Sequence, residues 1–256
     1  MEHFVWGTDP VALSFGSVRV FWYGIFFASA ILSGLQFIKW VYKREGKSDE
    51  SMDALFTYAV IGIVVGARLG HCFFYDPAYY LANPLKIIAV WEGGLASHGG
   101  GIGFIIALWF YVRKYKMNFI WLLDRATMPT AIFAFFVRMG NFMNSEIVGT
   151  KSELPWAIVF SRVDEFARHP AQVYEAISYL AIFFLLTYLY KTRTSLKPGI
   201  LFGVFLTTVF SARFLIEFVK TKQAAYSTEI ALSTGQLLSI PFLIIGVGFI
   251  IWSYKK

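Results

Sequence analysis

The chain has 256 residues, of which 57% are hydrophobic and only 15% charged, a balance that excludes an ordinary soluble domain and suits a protein with lipid as its solvent. Its formal net charge is +7, but the lysines and arginines gather in short segments between apolar runs, where they suit anionic membrane lipids, so no nucleic acid partner need be invoked. The single cysteine, Cys72, excludes an intrachain disulfide and a multi-cysteine metal site, and inside an apolar run it reads as packing.

Seven apolar runs follow in chain order, near residues 18–41, 54–75, 95–112, 118–138, 173–190, 199–218 and 236–253. Each approaches the ~20 residues that cross a hydrocarbon core. Only a helix satisfies its own backbone in lipid at that length, so the expected fold class is an all-α polytopic membrane protein with seven transmembrane helices. The N-terminal stretch lacks a basic region and a small-residue cleavage site, so the first run reads as a retained span. Basic residues follow the first run (Lys43, Arg44, Lys47), the third (Arg113, Lys114, Lys116) and the fifth (Lys191, Arg193, Lys197), and Lys255 and Lys256 end the chain. Such loops stay on the cytoplasmic side, which sets the N-terminus out and the C-terminus in.

Two external segments interrupt a single membrane domain over residues 1–256. The first, residues 76–94, holds Pro77, Pro84 and a moderately apolar stretch, and is expected along the interface with its Tyr and Trp at headgroup level. The second, residues 139–172, contains Pro155, the strand-like "WAIVF" and several charges. It is expected to form a small ordered external cap between spans four and five, and a cap of that size usually has a task.

An arginine at mid-membrane costs ~2.5 to 3.5 kcal/mol on insertion scales, so each one in a span asks for a partner or a polar cavity. Arg125 in "WLLDRATMP" has Asp124 beside it and suits a local ion pair. Arg68 in "VVGARLGHCFFYD", Arg138 in "FFVRMGNFMNSE", Arg213 in "FSARFLIEFVK" and His98 in "WEGGLASHGGGIG" all fall in the outer halves of their spans. Taken singly, Arg68 and Arg138 read equally well as interfacial anchors, and Arg213 as an ion pair with Glu217 four residues on. Three arginines at one depth favour a shared cavity, because planar guanidinium forks bind phosphate bidentately.

Past Arg138, Asn141 shares its face, with Ser145 joining if the helix runs on or frays, while Asn144 and Gly140 serve equally as helix caps. Tyr23 is an interfacial tyrosine made a candidate by its depth. Gly99 and Gly103, spaced as GxxxG, let the third span approach a neighbour. The glycines of this junction, Gly93 and Gly99 included, can also expose amides at a helix N-terminus, where the dipole favours a phosphate.

The blocks "GARLGHCFFY", "WEGGLASHGGGIG", "RMGNFMNSEIVG", "PWAIVF", "RHPAQVYE", "RFLIEFVK" and "STGQLLSIP" occur in this order over nearly the whole chain. This series resembles the signature blocks of the prolipoprotein diacylglyceryl transferase family. The resemblance implies a seven-helix bacterial inner-membrane enzyme with a periplasmic cap, working without a cofactor. Such an enzyme moves the diacylglyceryl group from phosphatidylglycerol to the lipobox cysteine of a prolipoprotein and releases glycerol 1-phosphate, the first step of lipoprotein maturation. By motif position, the family's essential arginine falls on Arg138, its asparagine on Asn141, its block-ending glycine on Gly149, its second arginine on Arg213, its histidine on His98 and its first-span tyrosine on Tyr23. Glu146 and Glu217 match acidic positions.

The expected catalytic set is therefore Arg138, Arg213 and His98, with His169 as a second candidate base. Tyr23, Arg68, Gly93, Gly99, Asn141, Asn144, Glu146, Gly149 and Glu217 are expected to line the phosphatidylglycerol site. Three departures from the family pattern stand out: Ser145 where a glycine is usual, Val209 where a tyrosine often precedes the second arginine, and His71 where many members carry an aromatic. A transporter or flippase for an anionic lipid or solute would also place arginines in spans, but should show repeats or paired helix breaks that the sequence lacks. An intramembrane serine protease is a weaker alternative, since Ser97 and His98 are chain neighbours.

Overall fold

The computed structural model describes residues 2–16, 18–90, 93–94, 96–192, 196–221 and 232–255, without the side chains of Ser97 and His98. Before the first helix the chain forms strand β1 (Phe4–Trp6) and a hairpin of β2 (Val11–Phe15) and β3 (Val18–Phe21). The hairpin pairs antiparallel from Val11↔Phe21 to Phe15↔Val18, and the Trp22 amide donates to the Pro10 carbonyl (2.9 Å). Helix α1 therefore runs Trp22–Arg44, four residues later than the apolar run suggested, because Val18–Phe21 is spent on strand pairing.

The chain continues through α2 (Asp49–Phe74), α3 (Pro77–Ala82), a 3-10 turn (Pro84–Ile87), α4 (Ser97–Lys114) and α5 (Phe119–Met143). Then come β4 (Ile158–Phe160), β5 (Ala167–Arg168), α6 (Ala171–Thr192), α7 (Ile200–Ile216), a 3-10 turn (Glu217–Val219) and α8 (Thr234–Lys255). β1 lies parallel to β4, which pairs antiparallel with β5. The fold is thus mostly helical rather than all-α. Among the described residues six helices are long and apolar enough to cross a membrane: α1, α2, α5, α6, α7 with its 3-10 extension, and α8. Seven were expected. The remaining one, α4, has 18 residues but opens on Ser97, His98 and three glycines and closes on Arg113 and Lys114, which dilutes its apolar content.

The chain divides into two compact units, residues 1–37 with 123–256, and residues 38–122. In the first, Asp124 is buried and caps α7: its carboxylate accepts from the amides of Gly199 (2.7 Å) and Phe202 (2.9 Å), two of the donors a helix N-terminus leaves unpaired. The expected partner Arg125 is farther off, at 3.8 Å. Helix α8 starts with a capping box in which the Gln236 amide donates to Ser233 Oγ (3.2 Å) and the Ser233 amide donates to Gln236 Oε1 (2.9 Å). Near the small sheet, Arg168 donates from Nε to both Asp164 oxygens (3.0 and 3.1 Å) and from Nη2 to Oδ2.

The second unit is built on contact between α2 and α4. Gly62, Gly66 and Gly70 repeat every fourth residue on α2 and meet Gly99, Gly103 and Ala107 of α4; a Cβ at Gly62 would stand 2.5 Å from Ala107 Cβ and 2.6 Å from Gly103 O. The GxxxG of Gly99 and Gly103 thus has its counterpart, and the backbones touch. Ser48 caps α2 by accepting from the Ser51 amide (3.3 Å), with Asp49 and Glu50 in the first turn complementing the dipole. Cys72 is buried, as a packing residue should be. His71 stacks on Tyr75 (5.5 Å between centroids) and meets the edge of Tyr80 (5.9 Å), so it behaves as an aromatic. Leu81, Leu85 and Ile88 project outward from the segment after α2, which suits an interfacial location.

Replacing Gly66 by Leu should force α2 and α4 apart and destabilise the detergent-purified protein by about 2 kcal/mol or more; an unchanged thermal unfolding curve would show that the close contact is dispensable. The Asp164 carboxyl is held below its ordinary value of 3.8 by the Arg168 guanidinium. A depressed carboxylate contributes stability that is complete above its unfolded value, ~3.9, and is lost as pH falls through the folded value. Amide-exchange protection around residues 149–168 should accordingly fall as pH drops below about 4, and Asp164→Asn should remove that pH dependence.

Candidate active site

Arg138 and Asn141 lie one turn apart on α5, which continues to Met143, so Arg138 Nη1 donates to Asn141 Oδ1 (3.1 Å). The chain then reverses. Asn141 Nδ2 donates to Glu146 Oε2 (3.0 Å) and Asn144 Nδ2 to Glu146 Oε1 (3.1 Å), so two amides hold one carboxylate. The reversal puts Ser145 (φ 56°) and Ile147 (φ 58°) in the left-handed region on either side of Glu146. That conformation is unfavourable for any side chain, and most of all for a β-branched one. The turn is closed by its own bond from the Glu146 amide to the Asn141 carbonyl (2.9 Å), and other segments pin it: Gln172 Nε2 donates to the Glu146 carbonyl, and the Thr221 amide donates to the Val148 carbonyl (3.3 Å). Backbone strain fixed from several sides is a mark of functional turns. Ser145 does not join the donors on the Arg138 face; its hydroxyl is buried without a hydrogen-bond partner among the described residues.

Helices α6 and α7 bring the remaining charges. Glu175 is fully buried, with Oε2 2.8 Å from Arg138 Nε and Oε1 3.4 Å from Lys220 Nζ. Lys220 Nζ also lies 3.2 Å from Glu217 Oε2. The alternative in which Arg213 pairs with Glu217 is not the one the structure holds: the Glu217 amide still donates to the Arg213 carbonyl one α turn back, but the 3-10 turn Glu217–Val219 brings Lys220, three residues on, over Glu217, whose carboxylate meets that cation instead. Arg213 makes no ion pair or hydrogen bond among the described residues, and with Arg138 it acts electrostatically on the Tyr179 hydroxyl. The Tyr23 ring covers Gly140, where a Cβ would stand 2.9 Å from Tyr23 Cδ2, and its hydroxyl feels the charges of Glu146 and Arg138. Glu217 lies against Gly235 of α8, where a Cβ would stand 2.5 Å from the carboxyl carbon.

Gly149 is a crossing point of three segments. Its amide donates to the His169 carbonyl (2.9 Å), its carbonyl accepts from Thr221 Oγ1 (2.9 Å) and Arg168 Nη1 (3.0 Å), and a Cβ would stand 2.6 Å from Val219 O. The His169 ring pairs with the Tyr174 hydroxyl (3.2 Å), which accepts from Trp156 Nε1 (2.8 Å).

Tyr23, Arg138, Asn141, Asn144, Glu146, Gly149, Arg213 and Glu217 thus belong to one unit. Arg68, Gly93 and Gly99 belong to the other. There the Arg68 guanidinium donates to the carbonyls of Lys86, Ile87 (2.9 Å), Gly93 and Gly94 and lies over the Tyr80 ring, while Gly99 packs on α2. The side chain of His98, the leading base candidate, lies outside the described residues. Sequence reasoning missed Glu175, Lys220, Gln172 and Tyr179, although "RHPAQVYE" and "RFLIEFVK" contain the first three. The available signal was Glu175 itself, a carboxylate within an apolar helix that demands a partner as much as an arginine does. Eight buried side-chain N and O atoms lack a hydrogen-bond partner among the described residues, and five of them, on Asn144, Ser145, Gln172, Glu175 and Glu217, gather in this cluster. The two glutamate atoms in this group, Glu175 Oε2 and Glu217 Oε2, have ion-pair contacts in place of hydrogen bonds. The three that remain, on Asn144, Ser145 and Gln172, call for an explanation that packing does not supply.

A helical membrane protein that concentrates arginines, carboxylates and amides around a strained turn has the makings of a membrane-embedded enzyme. The family model for prolipoprotein diacylglyceryl transferase matches residues 10–252. Proteins named phosphatidylglycerol-prolipoprotein diacylglyceryl transferase are 50% identical in Tolumonas auensis, over 98% of both chains, and 48% identical in Chloroherpeton thalassium, over 100% of this chain and 96% of that one. Another, in Porphyromonas gingivalis, is 43% identical over 98% of this chain and 95% of that one. The chain belongs to the prolipoprotein diacylglyceryl transferase family, and it is a transferase of lipoprotein biosynthesis.

Because Ser145 occupies a left-handed position with its hydroxyl unpaired, Ser145→Gly should stabilise the purified protein by about 1 kcal/mol, the relieved backbone strain outweighing glycine's greater unfolded freedom. A lower unfolding temperature would contradict the strain at this turn.

Proposed function

We propose that this chain transfers the diacylglyceryl group from phosphatidylglycerol to the lipobox cysteine thiol of a prolipoprotein, releasing glycerol 1-phosphate. It works in the bacterial inner membrane with its site toward the external face. In this reading α4 is the seventh span, the N-terminus is outside, the C-terminus is inside, and residues 139–172 form the periplasmic cap, with its start shifted by the extra turn of α5. The basic last turns of α1, α4, α6 and α8 support that orientation.

The observation that carries the reading is the arginine pair: Arg138 is fixed on its Nε and Nη1 edges, while Arg213, whose charge acts on the Tyr179 hydroxyl together with that of Arg138, has no ion-pair partner among the described residues. An oriented guanidinium together with an unspent one suits a phosphodiester, whose leaving oxygen gains charge as the reaction proceeds. The cysteine sulfur attacks the glyceryl carbon that carries the phosphate. A C–S bond forms, the C–O bond breaks, and its electron pair leaves on the phosphate of glycerol 1-phosphate. The thiol proton must go to a base, for which His98 is assigned, and from there to the departing phosphate. Asn141 and Tyr23 orient the headgroup, with Asn144, Glu146 and Glu217 around it and Gly149 holding the fold of the loop. Arg68, Gly93 and Gly99 have as their first task the structure of their own unit, where the arginine already serves four carbonyls.

With phosphatidylglycerol vesicles and a lipobox peptide, the product is read as a mass gain of one diacylglyceryl unit. Arg138→Ala should lower turnover by roughly 10²- to 10³-fold, and near-normal turnover would remove the clamp. His98→Gln should lower kcat by roughly 10²-fold or more if it takes the proton; a retained kcat with a raised KM for lipid would make it a headgroup-positioning residue instead.

A further inference from the structure

Glu175 has no task in the transfer as proposed, yet it is completely buried in α6 and stands between two cations. Burying a carboxylate is costly unless both oxygens find charged or polar partners, so its position is determined by what it holds. Neutralising Lys220 alone would not require Arg138, but the closer contact is to Arg138, 2.8 Å against 3.4 Å. That contact falls on Nε, the edge of the guanidinium next to its stem, while Asn141 takes Nη1. Acceptors on two different nitrogens fix the plane of the fork, which is what bidentate phosphate recognition needs. Lys220 in turn ties Glu175 to Glu217, so the orienting carboxylate is itself held.

We propose that Glu175, held by Lys220, is a positioning residue that fixes the plane of the Arg138 guanidinium for the phosphodiester. The proposal rests on the phosphate-clamp reading above. The decisive variant is the double substitution Glu175→Gln with Lys220→Met, which removes the carboxylate together with the cation it would otherwise merely neutralise. In the purified full-length enzyme, thermal stability should return toward wild type relative to Glu175→Gln alone, while kcat per folded enzyme stays down roughly 10²-fold, the scale of a misplaced reacting group. The KM for phosphatidylglycerol should move little. Recovery of kcat along with stability overturns the proposal, since Glu175 would then only balance Lys220. Should the double variant fail to fold, Glu175→Asp decides, because it keeps the charge and withdraws the oxygens by one methylene: a fallen kcat supports the role and an unchanged one overturns it. Arg138→Ala separates this proposal from the reading beneath it. Normal turnover there removes the clamp itself, whereas an inactive Arg138→Ala beside a fully active double variant removes only the role of Glu175.

Discussion

A charge in apolar surroundings has to be paired or put to use, and the unit that holds the candidate site is arranged around that requirement. The contact between Glu175 and Arg138 sets the terms. For it to exist, α5 must carry Arg138 at its end and α6 must place a carboxylate opposite. Lys220 then completes Glu175, and the 3-10 turn after α7 brings the same lysine over Glu217. Glycine at 235 makes room for the Glu217 carboxylate. Arg138, Arg213 and Lys220 are matched in number by Glu146, Glu175 and Glu217, so the formal charges cancel. On the proposed function, then, the phosphodiester is recognised by the direction of the site's donors and not by a surplus of positive charge.

The strained turn from Ser145 to Ile147 is the second half of the same arrangement. Continuing α5 by another turn would carry Glu146 away from Asn141; reversing the chain within three residues brings it back, at the expense of two left-handed side chains. Gln172, Thr221 and Gly149 tie that turn to α6, to the segment after α7 and to the strand before α6. The geometry around Arg138 therefore depends on segments far apart in the chain.

Much of this was legible in the sequence, and the misses have physical causes. Six spans were found to within a few residues because long apolar runs have one solution in lipid. The start of α1 was misplaced because Val18, Val20 and Phe21 are as apolar in a strand as in a helix, and hydropathy does not separate the two at an element's edge. Arg138 and Asn141 could be read from spacing, since helix periodicity predicts which side chains meet, whereas Glu146 came from the family resemblance and reaches Asn141 only through the chain reversal. The alternative pairing of Arg213 with Glu217 does not form because the 3-10 turn sets Lys220 on that carboxylate, a contact that α-helical spacing does not predict. Glu175 and Lys220 were passed over because an ion pair between helices leaves no local spacing to read. Gly99 and Gly103 suggested close packing, but the matching series at Gly62, Gly66 and Gly70 was needed to identify the neighbour.

That glycine contact has a consequence for lipid. Where the backbones of α2 and α4 touch, the gap between them is narrower than a methylene chain. An acyl tail cannot pass through it. The seam works as a weld: these two helices are closed to lateral traffic, and on the proposed function a diacyl chain has to enter and leave along some other line.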